Sequence, residues 1–297
     1  MQTLRTPDDR FVGLPDFPYA PRWVTDLPGL HGLRVHCIDE GPSTAEVTAL
    51  CLHGNPSWSY LYRHMLPVLT RAGLRVIAPD LLGFGRSDKP ADTAWHSFER
   101  HREMLLRFIE RLDLRNIMLV CQDWGGLLGL TLPMAMPQRF TRLLVLNTVL
   151  GTGQVTEGFR QWRAYSNAHD DLPVGRLIQR GKPQLTAAEV AAYDAPFPAP
   201  EFKAALRAFP NLVPEGDAAP GAALSRSAQT YLRETWQGES FMAIGMQDPV
   251  LGAAPMHALQ RSIRGCPAPM EVPMAGHFVP EWGAPIASAA LAHFQLA

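Results

Sequence analysis

The segment at positions 116–121, NIMLVC, carries five consecutive apolar residues. A run of this kind is buried on both faces when it forms a strand, as in a covered parallel sheet. Further strand-like runs lie at 34–39, 48–52, 75–78 and 143–146, the third of them ending at Pro79-Asp80. Stretches with helical spacing, 57–72 and 97–112, separate them; in the second, Met104, Leu105, Phe108 and Leu112 share one face. Short apolar strands alternating with amphipathic helices restrict the chain to βαβ units and a mostly parallel sheet.

After about position 150 the pattern changes. Residues 151–236 are rich in Ala, Pro and aromatics, and no strand is predicted there. Proline breaks, such as APFPAP at 195–200, divide the stretch into short helical pieces. Strand-like sequence returns at 240–246 (SFMAIGM) and 270–273, and a last helix is predicted over 285–295. The expected organisation is an α/β core of residues 1–150 and 237–297, with residues 151–236 as a helical cap. Such a cap would lie over the carboxyl ends of the strands, where open parallel sheets bind ligands.

The chain of 297 residues has a net charge of −1 and is 46% hydrophobic. It offers no basic field for nucleic acid or for an anionic membrane, so a small, fairly neutral substrate is expected. Cys37, Cys51, Cys121 and Cys266 form no C-x-x-C pair, which argues against a zinc or redox motif. MQTLRTPDDRF at the start has no apolar h-region, and no apolar stretch is long enough for a membrane span. A soluble cytoplasmic monomer with free thiols is the expectation.

The strand at 116–121 runs straight into Gln122-Asp123-Trp124-Gly125-Gly126. A nucleophile on a tight strand-to-helix turn needs small residues two before and two after it, here Cys121 and Gly125. The nucleophile position holds Asp123 in place of Ser. A carboxylate needs no deprotonation at neutral pH and can displace a leaving group from an sp³ carbon, giving an alkyl ester on the enzyme. The alternative role for Asp123 is a helix N-cap. Its partners decide between the two. Asp248 follows the strand-like SFMAIGM and His277 follows the last strand, so the chain order is nucleophile, acid, histidine. His277 would activate water and Asp248 would orient the ring. The segment Cys51-Leu52-His53-Gly54-Asn55-Pro56 occupies the early loop that supplies half of an oxyanion hole. The backbone N–H groups of Asn55 and Trp124 are its expected donors.

HGNPSWSYLYR (53–63), DLLGFGRSDKP (80–90), CQDWGG (121–126), GMQDPVLG (245–252) and GHFVPEWG (276–283) together resemble the haloalkane dehalogenases. The similarity runs from about Pro7 to the last helix and is weakest in 151–236, where YDAPFP and AFPNLVP also resemble the family. It implies an α/β-hydrolase fold, no cofactor or metal, and a small haloalkane, halide and water as the reacting species. By the same resemblance Asp123 is the nucleophile, His277 the base and Asp248 the acid. Trp124 and Trp162 are the halide ligands, since an indole N–H only donates. One position departs from the pattern: Asn55 stands where this subfamily has an acidic residue or glutamine. A second subfamily uses Asn there as a halide ligand, with a Glu after the sixth strand, but here that strand ends at Leu146-Asn147-Thr148. Asn55 is therefore a third candidate halide donor.

Leu127, Phe159, Phe197, Phe209, Pro210, Val213, Val250, Leu251 and Phe278 are the expected pocket lining. On composition alone each reads better as ordinary core, and only the resemblance raises Phe159, Phe209 and Val213 above that. Trp58 and Trp236 are read as structural, and Asp80 and Asp88 as loop-shaping. Two competing functions share these features. An epoxide hydrolase uses the same Asp nucleophile with a pair of cap tyrosines, for which Tyr165, Tyr193 and Tyr231 are available. A non-catalytic receptor on the same fold needs only the pocket.

Overall fold

The structure is a computed structural model and describes residues 2–297. Eight strands form one sheet: β1 (Arg22–Val24), β2 (Val35–Glu40), β3 (Thr48–Leu52), β4 (Arg75–Pro79), β5 (Ile117–Gln122), β6 (Phe140–Leu146), β7 (Glu239–Gly245) and β8 (Met270–Val272). Their spatial order is β8-β7-β6-β5-β3-β4-β2-β1. The pairs from β4 through β8 are parallel, while β1 and β2 add antiparallel edges. Every residue of β3 and β5 is buried, as the continuous apolar runs require. The chain moves outward from β3 to β4 and then returns to lay β5 on the other side of β3. That reversal is a topological switch point, where a crevice opens at the strand ends. Leu52 is registered against Cys121, so the loops leaving β3 and β5 emerge side by side.

The helices are α1 (Leu66–Arg71), α2 (Phe98–Arg111), α3 (Trp124–Gly129), α4 (Leu132–Ala135), α5 (Glu157–Asn167), α6 (Val174–Gly181), α7 (Ala187–Asp194), α8 (Ala204–Leu212), α9 (Ala222–Glu234), α10 (Ala253–Arg261) and α11 (Gly283–His293). Helices α1, α3, α10 and α11 pack directly on the sheet, and α2 packs against α3. Ser97 caps α2 by accepting from Arg100 N at 3.1 Å, and the buried face holds Met104, Leu105 and Phe108. Helices α5 to α9 all fall between β6 and β7. The only pairing of extended backbone described there is a single bridge between Gly153 and Glu215.

Two local expectations differ. The helix predicted over 57–72 is instead a 3₁₀ turn (Ser59–Tyr62) followed by α1. Pro67 has no N–H to give the carbonyl one turn back, so an α-helix has to start afresh with Pro67 in its first turn. The short strand β1 and a two-stranded ribbon of Thr3–Leu4 with Lys89–Pro90 were not foreseen, because two or three residues carry no readable period. Asp80 does shape its loop: its carboxylate accepts from Ser59 N and Arg86 N, each at 2.8 Å, and meets His36 Nδ1 at 2.7 Å. Trp58 and Trp236 are buried, and their indoles donate to Ala192 O and Ser240 Oγ.

A buried ion network ties α6 and α7 to the core. Arg63, just after the 3₁₀ turn, donates to Glu281 Oε2 at 2.8 Å and to Glu189 Oε1 at 2.9 Å, and lies over the Tyr60 ring at 4.3 Å. The Tyr193 hydroxyl also donates to Glu281, and Lys182 Nζ reaches the same carboxylate at 3.1 Å. Removing one member of such a network leaves an uncompensated buried charge, which costs about 3–5 kcal/mol. Glu281→Ala is expected to lose about that much stability in urea unfolding. A change under about 1 kcal/mol, the range of an exposed ion pair, would show that the network is not what holds α6 and α7 down.

Candidate active site

Asp123 occupies the turn between β5 and α3 with φ 52° and ψ −123°. A non-glycine residue held there costs on the order of 1–3 kcal/mol, so its surroundings have to enforce it. They do so with backbone groups. Asp123 N donates to Asn147 O at 3.0 Å, and its carbonyl accepts from Gly126 N, Leu127 N and Thr148 Oγ1 at 2.7–3.0 Å. Close packing makes two glycines obligatory. A Cβ on Gly125 would run into the Leu52 carbonyl, and one on Gly54 into the Asp123 side chain. With Gly54 bare, the next residue approaches, and Asn55 N donates to Asp123 Oδ1 at 2.8 Å. Among the described residues, Trp124 N makes no hydrogen bond to that carboxylate.

The other carboxylate oxygen faces the histidine: His277 Nε2 stands 3.5 Å from Asp123 Oδ2. On the far side of the ring, His277 Nδ1 lies 2.8 Å from Asp248 Oδ2. Asp248 is fixed in turn by Asn147 Nδ2 at 2.9 Å and Val250 N at 2.8 Å. Burial opposes charge on both groups, and their proximity overcomes it. The two aspartates push the His277 imidazole up to about 10. The cationic ring, with its hydrogen bond and that of Asn147, holds Asp248 down at about 2.

The three residues open onto a cavity of about 420 Å³. Leu127, Phe159, Pro210, Val213, Val250, Leu251 and Phe278 line it, as expected. Phe197 and Phe209 do not. Phe209 is packed behind Trp124, ring centroids 4.6 Å apart, and is fully buried. Phe197 sits in the turn that Thr6 Oγ1 ties down at Pro196 O, 2.7 Å away, and joins the core instead. Both are large buried apolar residues, and sequence cannot tell the wall of a cavity from the core behind it. Trp124, Trp162 and Asn55 all line the cavity. Unlike Trp58 and Trp236, neither Trp124 nor Trp162 has a protein acceptor for its indole N–H among the described residues. Asn55 Oδ1 is buried without a partner. Of the three tyrosines weighed for epoxide opening, none lines the cavity. Tyr193 is buried in the Arg63–Glu281 network, and Tyr165 stacks on Trp162 and His169.

Two contributors went unnoticed in the sequence. Asn147 braces Asp248 and also bridges to β7, exchanging hydrogen bonds with Gly245 N and O at 2.8 and 3.1 Å. Its place directly after β6, level with Asp123 after the neighbouring strand, was the available signal. Gln122, the last residue of β5, is fully buried against His277.

Comparison with known proteins agrees with this geometry. Residues 49–284 match the alpha/beta hydrolase fold family. A haloalkane dehalogenase of Psychrobacter cryohalolentis is 43% identical, over 95% of this chain and 94% of its own. Haloalkane dehalogenase 1 of Mycobacterium tuberculosis is 41% identical over 95% and 94%. Among solved structures, the tetrameric haloalkane dehalogenase DpaA from Paraglaciecola agarilytica NO2 superposes with a TM-score of 0.97 at 49% identity, covering 98% of each chain. With an aspartate on the strand-to-helix turn and relatives of this closeness along nearly its whole length, the chain belongs to the haloalkane dehalogenases of the alpha/beta hydrolase fold family.

Proposed function

We propose that the enzyme hydrolyses small haloalkanes to an alcohol, a halide ion and a proton through an ester on Asp123. The observation that carries this reading is the placement of Asp123 Oδ2 in an apolar cavity, 3.5 Å from His277 Nε2, with Trp124 and Trp162 lining the same cavity. Oδ2 attacks the carbon bearing the halogen; the C–O bond forms as the C–halogen bond breaks, and the electron pair leaves with the halide. Trp124, Trp162 and Asn55 Nδ2 are the donors we assign to that anion. They meet little charge in the neutral substrate and a growing one in the transition state, so they act on rate more than on substrate affinity. Oδ1 becomes the ester carbonyl oxygen. It already accepts from Asn55 N, and Trp124 N is assigned as the second donor of the oxyanion hole.

Hydrolysis then falls to His277. Water gives a proton to Nε2 and its oxygen adds to the Asp123 carboxyl carbon. Collapse of the tetrahedral adduct breaks the bond to the alkoxy oxygen, which takes the proton from Nε2. Before the first step the ring is protonated between two carboxylates; esterification abolishes one of those charges, which lowers the ring's basicity so that it gives this proton to solvent and can act as a base. The Asp123 carboxyl left after collapse returns its own proton to Nε2 and restores the resting pair.

His277→Phe is expected to release one equivalent of bromide from 1,2-dibromoethane and stop as an alkyl adduct on Asp123, seen by mass spectrometry. In H₂¹⁸O the wild type should place the label in Asp123, and the first alcohol formed should be unlabelled. Absence of both burst and adduct would falsify the ester pathway. Diol from styrene oxide without any bromide release would favour epoxide hydrolysis, and halide or haloalkane binding without turnover would favour a receptor. A hydrogen bond to an anion contributes about 1.5–3 kcal/mol. Trp162→Phe should accordingly lower kcat/KM roughly 10- to 100-fold and weaken quenching of Trp124 fluorescence by bromide. Unchanged values would move the halide to Asn55 and Trp124 alone.

The His277–Asp248 pair also sets a pH dependence of stability. The His277 pKa is raised, so its stabilising contribution is complete below the ordinary histidine value and is lost as pH rises through about 10. Asp248 is depressed, so its share is present above the ordinary aspartate value and lost as pH falls through about 2. The stability gap between wild type and His277→Phe should therefore be widest near pH 6 and shrink towards pH 10. A gap that widens with alkali would contradict the pairing.

A cytoplasmic location accords with four free, buried cysteines, and no helix among the described residues is long and apolar enough to cross a membrane. The monomer expected from the resemblance and the composition finds no support in the tetrameric relative. Light scattering near 32.8 kDa would support it, and a fourfold mass would support an assembly of the relative's kind.

A further inference from the structure

Gln122 is the last residue of β5 and is fully buried beside the catalytic base. Its Nε2 stands 3.1 Å from the His277 backbone oxygen and 3.1 Å from His277 Nε2. Its Oε1 is buried without any partner. The carbonyl of His277 can only accept, so it fixes the orientation of the amide: the NH₂ end has to face the histidine, even though this strands Oε1. The second N–H of the same NH₂ is then aimed at the ring nitrogen that must collect a proton from water. A donor at that place suits a bare Nε2 lone pair and conflicts with an Nε2–H.

We infer that Gln122 is a positioning residue for hydrolysis, holding the His277 ring by its backbone and disfavouring protonation at Nε2. The inference rests on the dehalogenase reading above for its role in turnover, but the contact itself can be tested without turnover. The charged groups around the ring are Asp123 at 3.5 Å, Asp248 at 2.8 Å and, on the cavity wall from α6, Arg180. In the resting enzyme the Asp123 carboxylate pulls a proton onto Nε2 against the Gln122 donor. Once Asp123 is esterified that pull is gone. Asp248 still favours the cation from the Nδ1 side, and Gln122 opposes it at Nε2. The amide thus biases the ring towards its neutral form at the stage when a base is needed, and the arriving water displaces the Gln122 N–H from the lone pair. Alkylation does not use the lone pair, so only the second half-reaction should depend on Gln122.

The test has a spectroscopic arm and a kinetic arm. In Asp123→Asn, whose neutral side chain stands in for the ester, ¹⁵N-histidine NMR reads the His277 pKa directly. Adding Gln122→Met, which keeps length and removes both donors, should raise that pKa by about one unit, a tenfold shift in the ring's protonation equilibrium. Adding Gln122→Glu, which places an acceptor there, should raise it further. In the enzyme with native Asp123, rapid-quench turnover of 1-bromobutane by Gln122→Met should keep the bromide burst within about twofold. Ester hydrolysis at pH 7 should slow by roughly tenfold, with its pH midpoint displaced upward by the same unit. An unchanged His277 pKa in both double variants overturns the inference, as do burst and hydrolysis that slow together with no shift in midpoint. If one variant fails to fold, the other still decides through the NMR arm. Absence of any bromide release by wild type would instead count against the dehalogenase reading, and the NMR result would stand by itself.

Discussion

The side-by-side exit of two parallel strands governs the site. Because β3 and β5 are neighbours with Leu52 level with Cys121, the loop after one and the turn after the other meet, and a backbone N–H from Asn55 lands on a carboxylate from Asp123. That contact needs an unusual backbone at Asp123, bare α-carbons at Gly54 and Gly125, and hydrogen bonds from the end of β6 to hold the turn. The ends of β6, β7 and β8 position the rest. Asn147 after β6 reaches across to β7 and to Asp248, and Asp248 reaches His277 after β8. The sheet is thus a rigid rule along which the reacting groups are spaced. Groups on such a scaffold hold their geometry better than groups on free loops.

Much of this was legible in the residues, and for a physical reason. A strand buried on both faces has to be apolar throughout, so β3, β4 and β5 announced themselves, and a reactive side chain directly after such a strand stands out by contrast. Asp123, Asp248 and His277 were recognisable because each follows a strand, in an order the fold repeats. The proposed halide ligands were less so: Trp124 is fixed by its neighbour in sequence, whereas Trp162 lies on α5, whose position depends on how the inserted helices pack. Phe197 and Phe209 show where such reading ends. Both are buried apolar residues, and only three-dimensional packing decides that Phe209 backs Trp124 and never meets the cavity. Asn147 and Gln122 were passed over for a different reason. Each acts through a partner more than a hundred residues away along the chain, and a neutral amide has no pattern that advertises such a partner.

Besides apolar packing, an ion network ties the inserted helices to the core. Arg63 and Glu281 belong to the core, while Glu189, Tyr193 and Lys182 come from residues 151–236, and they meet at the buried Arg63 and Glu281 side chains. A buried network of this kind is weak as a source of net stability but strict about geometry, since any displacement strands a charge. Strictness is what the site needs. Gly181 at the end of α6 approaches Gly276 so closely that a Cβ built on Gly276 would lie 3.2 Å from its α-carbon, so the end of α6 rests on the loop that carries His277. Lys182, the next residue, is part of the network. The contact that docks the inserted helices and the contact that seats the base are therefore separated by a single peptide bond.

Replacing a serine by Asp123 changes what the histidine must do. Beside a serine hydroxyl, the ring starts neutral and takes the nucleophile's proton. Beside a carboxylate there is no proton to take, and the negative charge itself draws one onto the ring, which is why His277 is pushed up to about 10 in the resting state. A ring so basic is protonated at neutral pH and useless as a base. On the proposed ester pathway it becomes useful because the first half of the reaction turns the carboxylate into an ester, whose carbonyl no longer holds the cation. On that proposal Asp123 keeps His277 idle until there is an ester to hydrolyse. This sequence holds only if Asp248 is not so strong a partner that it keeps the ring charged by itself. A donor at Nε2, which Gln122 supplies, is the kind of counterweight that the buried aspartate calls for.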